Sequence, residues 1–132
     1  MPFLIDTNIA IHARDGSEPV LDKLAQHSGA VLLSALSLAE LQRGIYKTSE
    51  YSALRRARMN TLLEGLSVVP FDASAAEAYG LIIAQIGWSR SRAMDRLIAA
   101  HALAIRSVFV TANTADFAGI PGLTIENWAA GV

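Results

Sequence analysis

The feature that most narrows the fold is an alternation. Short apolar or β-branched runs are each followed by a segment whose apolar residues recur at helical spacing. The runs at residues 3–6, 30–34, 67–71 and 107–111 have the length and composition of buried strands, and a last short one covers 124–126. After the first, Asp-Thr-Asn starts a helix. A helix capped by Ser17, with Pro19 tolerated in its first turn, runs to about residue 27. From Ser37, the apolar positions Leu38, Leu41 and Ile45 mark another. A following helix over residues 51–63 completes a helical hairpin. Asp72 caps an alanine-rich helix to about residue 85, residues 87–91 form a polar loop, and residues 93–105 are again helical. Strands separated by helices join by crossovers, which predicts an α/β fold with a mostly parallel central sheet and helices on both faces. At 132 residues, with no repeat or linker, residues 1–132 are expected to form a single domain.

Composition removes several function classes. A hydrophobic share of 52% against 17% charged excludes a disordered chain and leaves apolar surface to bury against a partner. The absence of cysteine excludes disulfides, thiolate metal sites and thiol nucleophiles, and fits a reducing cytoplasm. The first residues reach Asp6 without a basic region, so no signal peptide is expected, and no apolar stretch is long enough for a bilayer. With a net charge of -1, attraction for nucleic acid has to be local. Two basic clusters exist, Arg55, Arg56 and Arg58, and Arg90, Arg92 and Arg96. Either alone reads as a solvated face or loop.

Four acids carry the chemistry. Asp6 ends the first strand, at the sheet edge where α/β proteins bind ligands, and could equally be a helix cap. Glu40 lies in the segment from Ser34 to Gly44; it could complete a capping box with Ser37, yet it shares a helix side with Ser37, Leu41 and Gly44 and so borders the core-facing stripe. Gly44 leaves room for another backbone. Asp95 aligns with Ile98, Ala99, Ala102 and Ile105 on an apolar face, where a carboxylate is costly unless it is paired or bound to a metal. Asp116 follows the strand at 107–111 and belongs to the same sheet edge as Asp6, in what reads as a loop. Carboxylates gathered this way repel one another unless protonated or bridged by a cation. Oxygen ligands without a cysteine or histidine cluster point to Mg2+ or Mn2+, which can polarise a phosphate and activate water.

Leu4-Ile-Asp-Thr-Asn8, the segment from Ser34 to Gly44, Met94-Asp-Arg-Leu-Ile-Ala-Ala-His-Ala-Leu103, Val110-Thr-Ala-Asn-Thr-Ala-Asp-Phe117 and Pro121-Gly-Leu-Thr-Ile-Glu-Asn-Trp128 stand in an order and spacing that resembles PIN-domain proteins, specifically the VapC-type ribonuclease toxins of toxin–antitoxin pairs. The resemblance implies a PIN-like three-layer α/β/α domain, a divalent-metal site, endonucleolytic cleavage of RNA such as tRNA or rRNA, and a cognate antitoxin that occludes the site. A homodimer is expected from the resemblance and the apolar composition together. Asp6, Glu40 and Asp95 fall on the family's acidic positions, and Asp116 is the candidate for the fourth. Asn8, Ser37, Arg90, Arg92 and Asn113 are the candidates for contacting RNA. The chain departs from the pattern where many relatives carry Thr-Arg-Asn: it has Thr111-Ala112-Asn113, so a basic side chain is missing. Asn113 replaces an Asp of some relatives, and the fourth position is open between Asn113 and Asp116.

Other chemistries fit less well. A phosphatase using Asp6 as nucleophile wants a second Asp at position 8, which is Asn. A receiver domain needs a nearby lysine, and the two lysines, Lys23 and Lys47, both fall in segments expected to be helical. His12, His27 and His101 are scattered, so no histidine pair offers metal-free RNA cleavage. Trp88 and Trp128 suit a core or an interface better than base stacking. The rival from another class is a non-catalytic interaction protein whose acids only cap helices and whose apolar surface binds a partner protein.

Overall fold

The computed structural model describes residues 1–130. Its chain order is β1 (Phe3–Ile5), α1 (Thr7–Arg14), α2 (Glu18–Gln26), β2 (Val31–Ser34), α3 (Ala35–Ile45), α4 (Ser52–Glu64), β3 (Ser67–Val69), α5 (Ala73–Ile86), α6 (Ala93–Ala104), β4 (Val108–Val110), α7 (Thr114–Phe117) and β5 (Ile125–Glu126). The strands form one sheet in the order β3-β2-β1-β4-β5, and every pairing is parallel. The chain therefore builds outward from β1 in one direction and then crosses back to continue beside it on the other. That reversal opens a crevice beyond the carboxyl ends of β1 and β4.

Strand residues alternate between two cores. Ile5, Val31, Leu33 and Val110 pack with Ile9, Ala13, Leu41, Ile45 and Met59 beneath α1 to α4. Leu4 and Phe109 pack with Ile82, Ile98, Ala99, Ala102 and Phe117 beneath α5 to α7. Burial on both faces explains why the strands read as unbroken apolar runs. Each fully buried Leu, Ile or Phe contributes about 1.5–3 kcal/mol.

Several sequence expectations need correction. Residues 114–117 form α7, so Asp116 lies on a short helix and not on a loop. Helix α3 begins at Ala35 with Ser34 as its cap, the Ser34 Oγ accepting from the Leu36 N–H at 3.2 Å. Ser37 is therefore inside the helix, where it cannot form a capping box with Glu40. Nothing lies within 4 Å of where a Cβ would stand on Gly44, so no backbone makes use of that space. Ser17 occupies the cap of α2 without a side-chain bond, its buried Oγ unpartnered. Asp72 caps α5 as expected, accepting from Ala75 N–H at 3.0 Å. Trp128 is buried, donating to Glu126 Oε1 at 3.1 Å and stacking on His27, whereas Trp88 is 66% exposed.

Candidate active site

The register of the sheet sets the site. Leu4 pairs with Phe109 and Leu32, and Ile5 with Val110 and Leu33, so Asp6 and Thr111 follow just past the ends of β1 and β4, in one row with Ser34, the last residue of β2. Asp6 does two jobs there. Its Oδ1 caps α1 by accepting from the Ile9 N–H at 2.8 Å, and its Oδ2 accepts from the Thr111 hydroxyl at 2.5 Å. The cap and the site reading of Asp6, alternatives in the sequence, are thus compatible, because a carboxylate has two oxygens.

A pocket of about 240 Å³ opens above this row. Asp6, Thr7, Asn8, Glu40 and Asp95 form its polar walls, and Ile11, Ile98, Phe109 and Phe117 its apolar floor. Three acids from β1's end, α3 and α6 thereby meet around one space. Glu40 is held by the Thr7 hydroxyl, which donates to Oε1 at 2.6 Å. Asp95 sits one turn above Ile98, not inside the apolar face as its spacing suggested: it is exposed at the pocket mouth, while Ile98, Ala99 and Ala102 are buried below it.

The electrostatics show acids that raise one another's pKa, with Arg92 offsetting only part of the repulsion. Burial pushes the Asp6 carboxyl above its usual range against the pull of the Thr111 hydroxyl and the Ile9 and Asn8 amides, and the Asp95 charge adds to the rise. Asp95 is also pushed up, by partial loss of water against the pocket wall and then by Glu40 and Asp116, with Arg92 pulling it back. No basic side chain is among the pocket's walls. Oxygen donors with excess negative charge suit a hard divalent cation in kind. Among the described residues no three acidic or histidine side chains yet stand close enough to enclose an ion.

The remaining candidates separate by position. Asp116 is outside the pocket lining, but its charge reaches Asp95 and its Oδ1 is 3.5 Å from Arg92 Nη1. Asn113 caps α7, is exposed, and lines no part of the pocket. Ser37 is fully buried with an unpartnered hydroxyl, also outside the lining. Arg90 is exposed on the segment before α6, and Arg96 is turned away, donating to the Gly87 carbonyl at 2.9 Å. Thr7 and Thr111 were missed in the sequence. The signal was there, a hydroxyl directly after a strand at the sheet's ligand edge, but threonine is too common in strands to stand out.

One buried base lies behind the site. His101 on α6 is 1% exposed; its Nδ1 is 2.8 Å from Ser34 Oγ, and the Pro70 carbonyl faces the ring. Because Ser34 also caps α3, this contact ties the helix bearing Asp95 to the helix bearing Glu40. Burial lowers the His101 pKa below its ordinary value, against the opposing pull of Asp72 and the Pro70 carbonyl. The unfolded chain therefore takes up a proton first as pH falls, and stability drops from about pH 6.5 downward. Melting temperatures at pH 8 and pH 5.5 check this: His101→Asn should lose less on acidification than the wild type does.

A PIN domain model matches residues 3–123. The chain belongs to the PIN-domain family and, within it, to the VapC-type ribonuclease toxins. It is 31% identical to ribonuclease VapC2 of Rickettsia felis over 97% of this chain and 98% of that protein. It is 29% identical to the tRNA(fMet)-specific endonuclease VapC of Shigella flexneri, over 98% and 99% respectively. Its fold superimposes on the VapBC2 structure of Rickettsia felis bound to promoter DNA with a TM-score of 0.86 at 29% identity, covering 97% of this chain and 99% of that one. Among the described residues no helix is long and apolar enough to cross a membrane.

Proposed function

We propose that residues 1–132 act as one PIN-like domain in the cytoplasm, cutting RNA endonucleolytically with Mg2+ or Mn2+ held by Asp6, Glu40 and Asp95 and supported by Asp116. The observation that carries this is the convergence of three carboxylates on one pocket in which two are pushed toward protonation and no cation lines the wall. A bound divalent cation supplies polarisation of the phosphodiester and a water more acidic than bulk. The chain's own residues supply orientation. Thr111 fixes one Asp6 oxygen and the α1 amide the other, Thr7 fixes Glu40, and the apolar floor keeps water from approaching behind the acids. Between Asn113 and Asp116, the fourth role is assigned to Asp116, because its charge bears on Asp95. Asp116→Asn should then weaken Mn2+ affinity more than Asn113→Ala does; the reverse order would give the position to Asn113.

Losing an outer hydrogen bond to a metal-ligating carboxylate typically costs ten- to hundredfold in metal affinity. Thr111→Val is therefore expected to weaken Mn2+ binding by about ten- to hundredfold while the fold is retained. Titration of the variant beside the wild type checks it, and equal affinities would remove Thr111 from the site.

RNA is the proposed substrate, with tRNA the first class to test. Sequencing the RNA ends that arise on induction should show internal cuts bearing 5'-phosphate and 3'-hydroxyl, and EDTA should stop the reaction. Cyclic phosphate ends, or cleavage undiminished in EDTA, would overturn the metal-hydrolysis reading. Two unpartnered apolar surfaces support a homodimer and an antitoxin as further partners. Leu81, Ile86, Trp88 and Met94 are exposed along α5 and the turn into α6, beside a groove that includes Ile82 and Leu103. A second groove of about 440 Å³ runs between α1, α2 and α4, with Leu21, Leu24 and Leu62 in its walls and Arg14 and Arg58 among its lining. Sedimentation giving only monomer at micromolar concentration would count against the dimer.

A further inference from the structure

We infer that Arg92 is a counter-cation at the rim of the acidic pocket, displaced from Asp116 when a divalent ion enters and thereby released to hold a phosphate of the RNA. This rests on the metal-nuclease reading above and adds to it a residue that links the two ligands.

Arg92 stands at the N-terminal boundary of α6, three residues before Asp95, with no side-chain capping bond. Its Nη1 reaches across to α7, 3.5 Å from Asp116 Oδ1 and 3.4 Å from the Asp116 carbonyl oxygen. It thus pairs with one of the four acids of the region while its charge reaches a second, Asp95, and among the described residues it is the basic side chain that makes an ion pair with one of them. The neighbouring arginines are differently placed, Arg96 committed to the Gly87 carbonyl and Arg90 exposed. The loop after β4 offers Ala112 and Asn113, so no positive charge comes from that wall.

The contact with Asp116 is the exchangeable kind. One nitrogen meets one carboxylate oxygen at 3.5 Å, with both side chains nearly half exposed, and an ion pair of that sort is held weakly. A paired fork geometry, the strong mode for guanidinium, is not used here. A divalent cation neutralising Asp95 and Asp116 removes the attraction that keeps Arg92 over them. The guanidinium then stands at the edge of the pocket with its donors free, and the nearest anion in the working complex is the RNA backbone, whose phosphate matches the guanidinium fork.

Displacement and phosphate binding give Arg92→Gln effects of opposite sign. Without RNA, Mn2+ binding should tighten about three- to tenfold, because the ion no longer competes with a fixed positive charge. At saturating Mn2+, kcat/KM for RNA cleavage should fall about ten- to hundredfold, the usual effect of losing a hydrogen bond to a charged group. Arg92→Lys should keep wild-type Mn2+ affinity and recover part of the cleavage. If Mn2+ affinity and cleavage fall together in Arg92→Gln, Arg92 merely holds Asp116 in place and the inference is overturned; if neither moves, the pair is an idle surface contact and it is equally overturned. Wild-type protein that fails to bind Mn2+, or Asp95→Asn that binds it as well as wild type, would instead bring down the metal site itself, and this inference with it.

Discussion

Asp95→Asn is expected to lower RNA cleavage by about a thousandfold or more, since a polarising cation supplies several kcal/mol of transition-state stabilisation and about 4 kcal/mol corresponds to that factor. The same change should raise the melting temperature of the metal-free protein. Asp95 makes no hydrogen bond that the amide would lose, and its carboxyl is pushed up by partial desolvation and by Glu40 and Asp116. A carboxyl raised in the folded state contributes stability that is present below the unfolded value of 3.8 and lost as pH rises through the raised value. At neutral pH the charge therefore opposes folding, and the neutral isostere relieves it. Saturating Mn2+ should stabilise the wild type and leave Asp95→Asn nearly unmoved. Asp6→Asn should abolish cleavage as fully. Its gain in stability should be smaller, because Asp6 also accepts from Thr111 and from the α1 amide. Thermal melts with and without Mn2+, run beside a cleavage assay, separate these outcomes. An Asp95→Asn protein that is inactive only because it is unfolded would contradict the electrostatic account.

Phe109→Ala is expected to destabilise the fold by about 3–5 kcal/mol, a large fraction of the roughly 5–15 kcal/mol that holds a domain of this size together. Phe109 is fully buried on β4, between β1 and β5, where its ring meets Phe117 edge-on at 4.8 Å. It also forms part of the floor of the acidic pocket. Removing the ring leaves a cavity that the strand cannot close without breaking its pairing with Leu4 and Ile125. Urea unfolding measures the loss. Leu81→Ala, on a side chain 67% exposed, should cost under about 1 kcal/mol in the same assay. A loss below about 1 kcal/mol for Phe109→Ala would mean that the floor can collapse, and the acids above it would then lack a rigid support.

The alternation of runs and helical segments determined the α/β fold and nearly every element, because burial on both faces of a parallel sheet forces continuous apolar strands whatever the neighbours are. The same patterning placed Asp6 at a strand end, but it put Asp95 inside an apolar helix face, whereas the side chain is exposed at the pocket mouth one turn above that face. Residue spacing could not place α7, a single turn of four residues too short to show a period, so Asp116 read as loop. Nor could it choose between Ser34 and Ser37 as the start of α3, since both are good caps and only the end of β2 decides. The strand order was equally hidden. No local signal says that β4 returns to the far side of β1, and that return is what sets Thr111 beside Asp6. The sequence by itself determined which acids are present and which elements carry them. Only the tertiary structure decided that Thr7 and Thr111 hold those acids and that Arg92 meets Asp116 across α6 and α7. These are contacts between residues as much as 105 positions apart, set by sheet register and helix packing and not by any spacing along the chain.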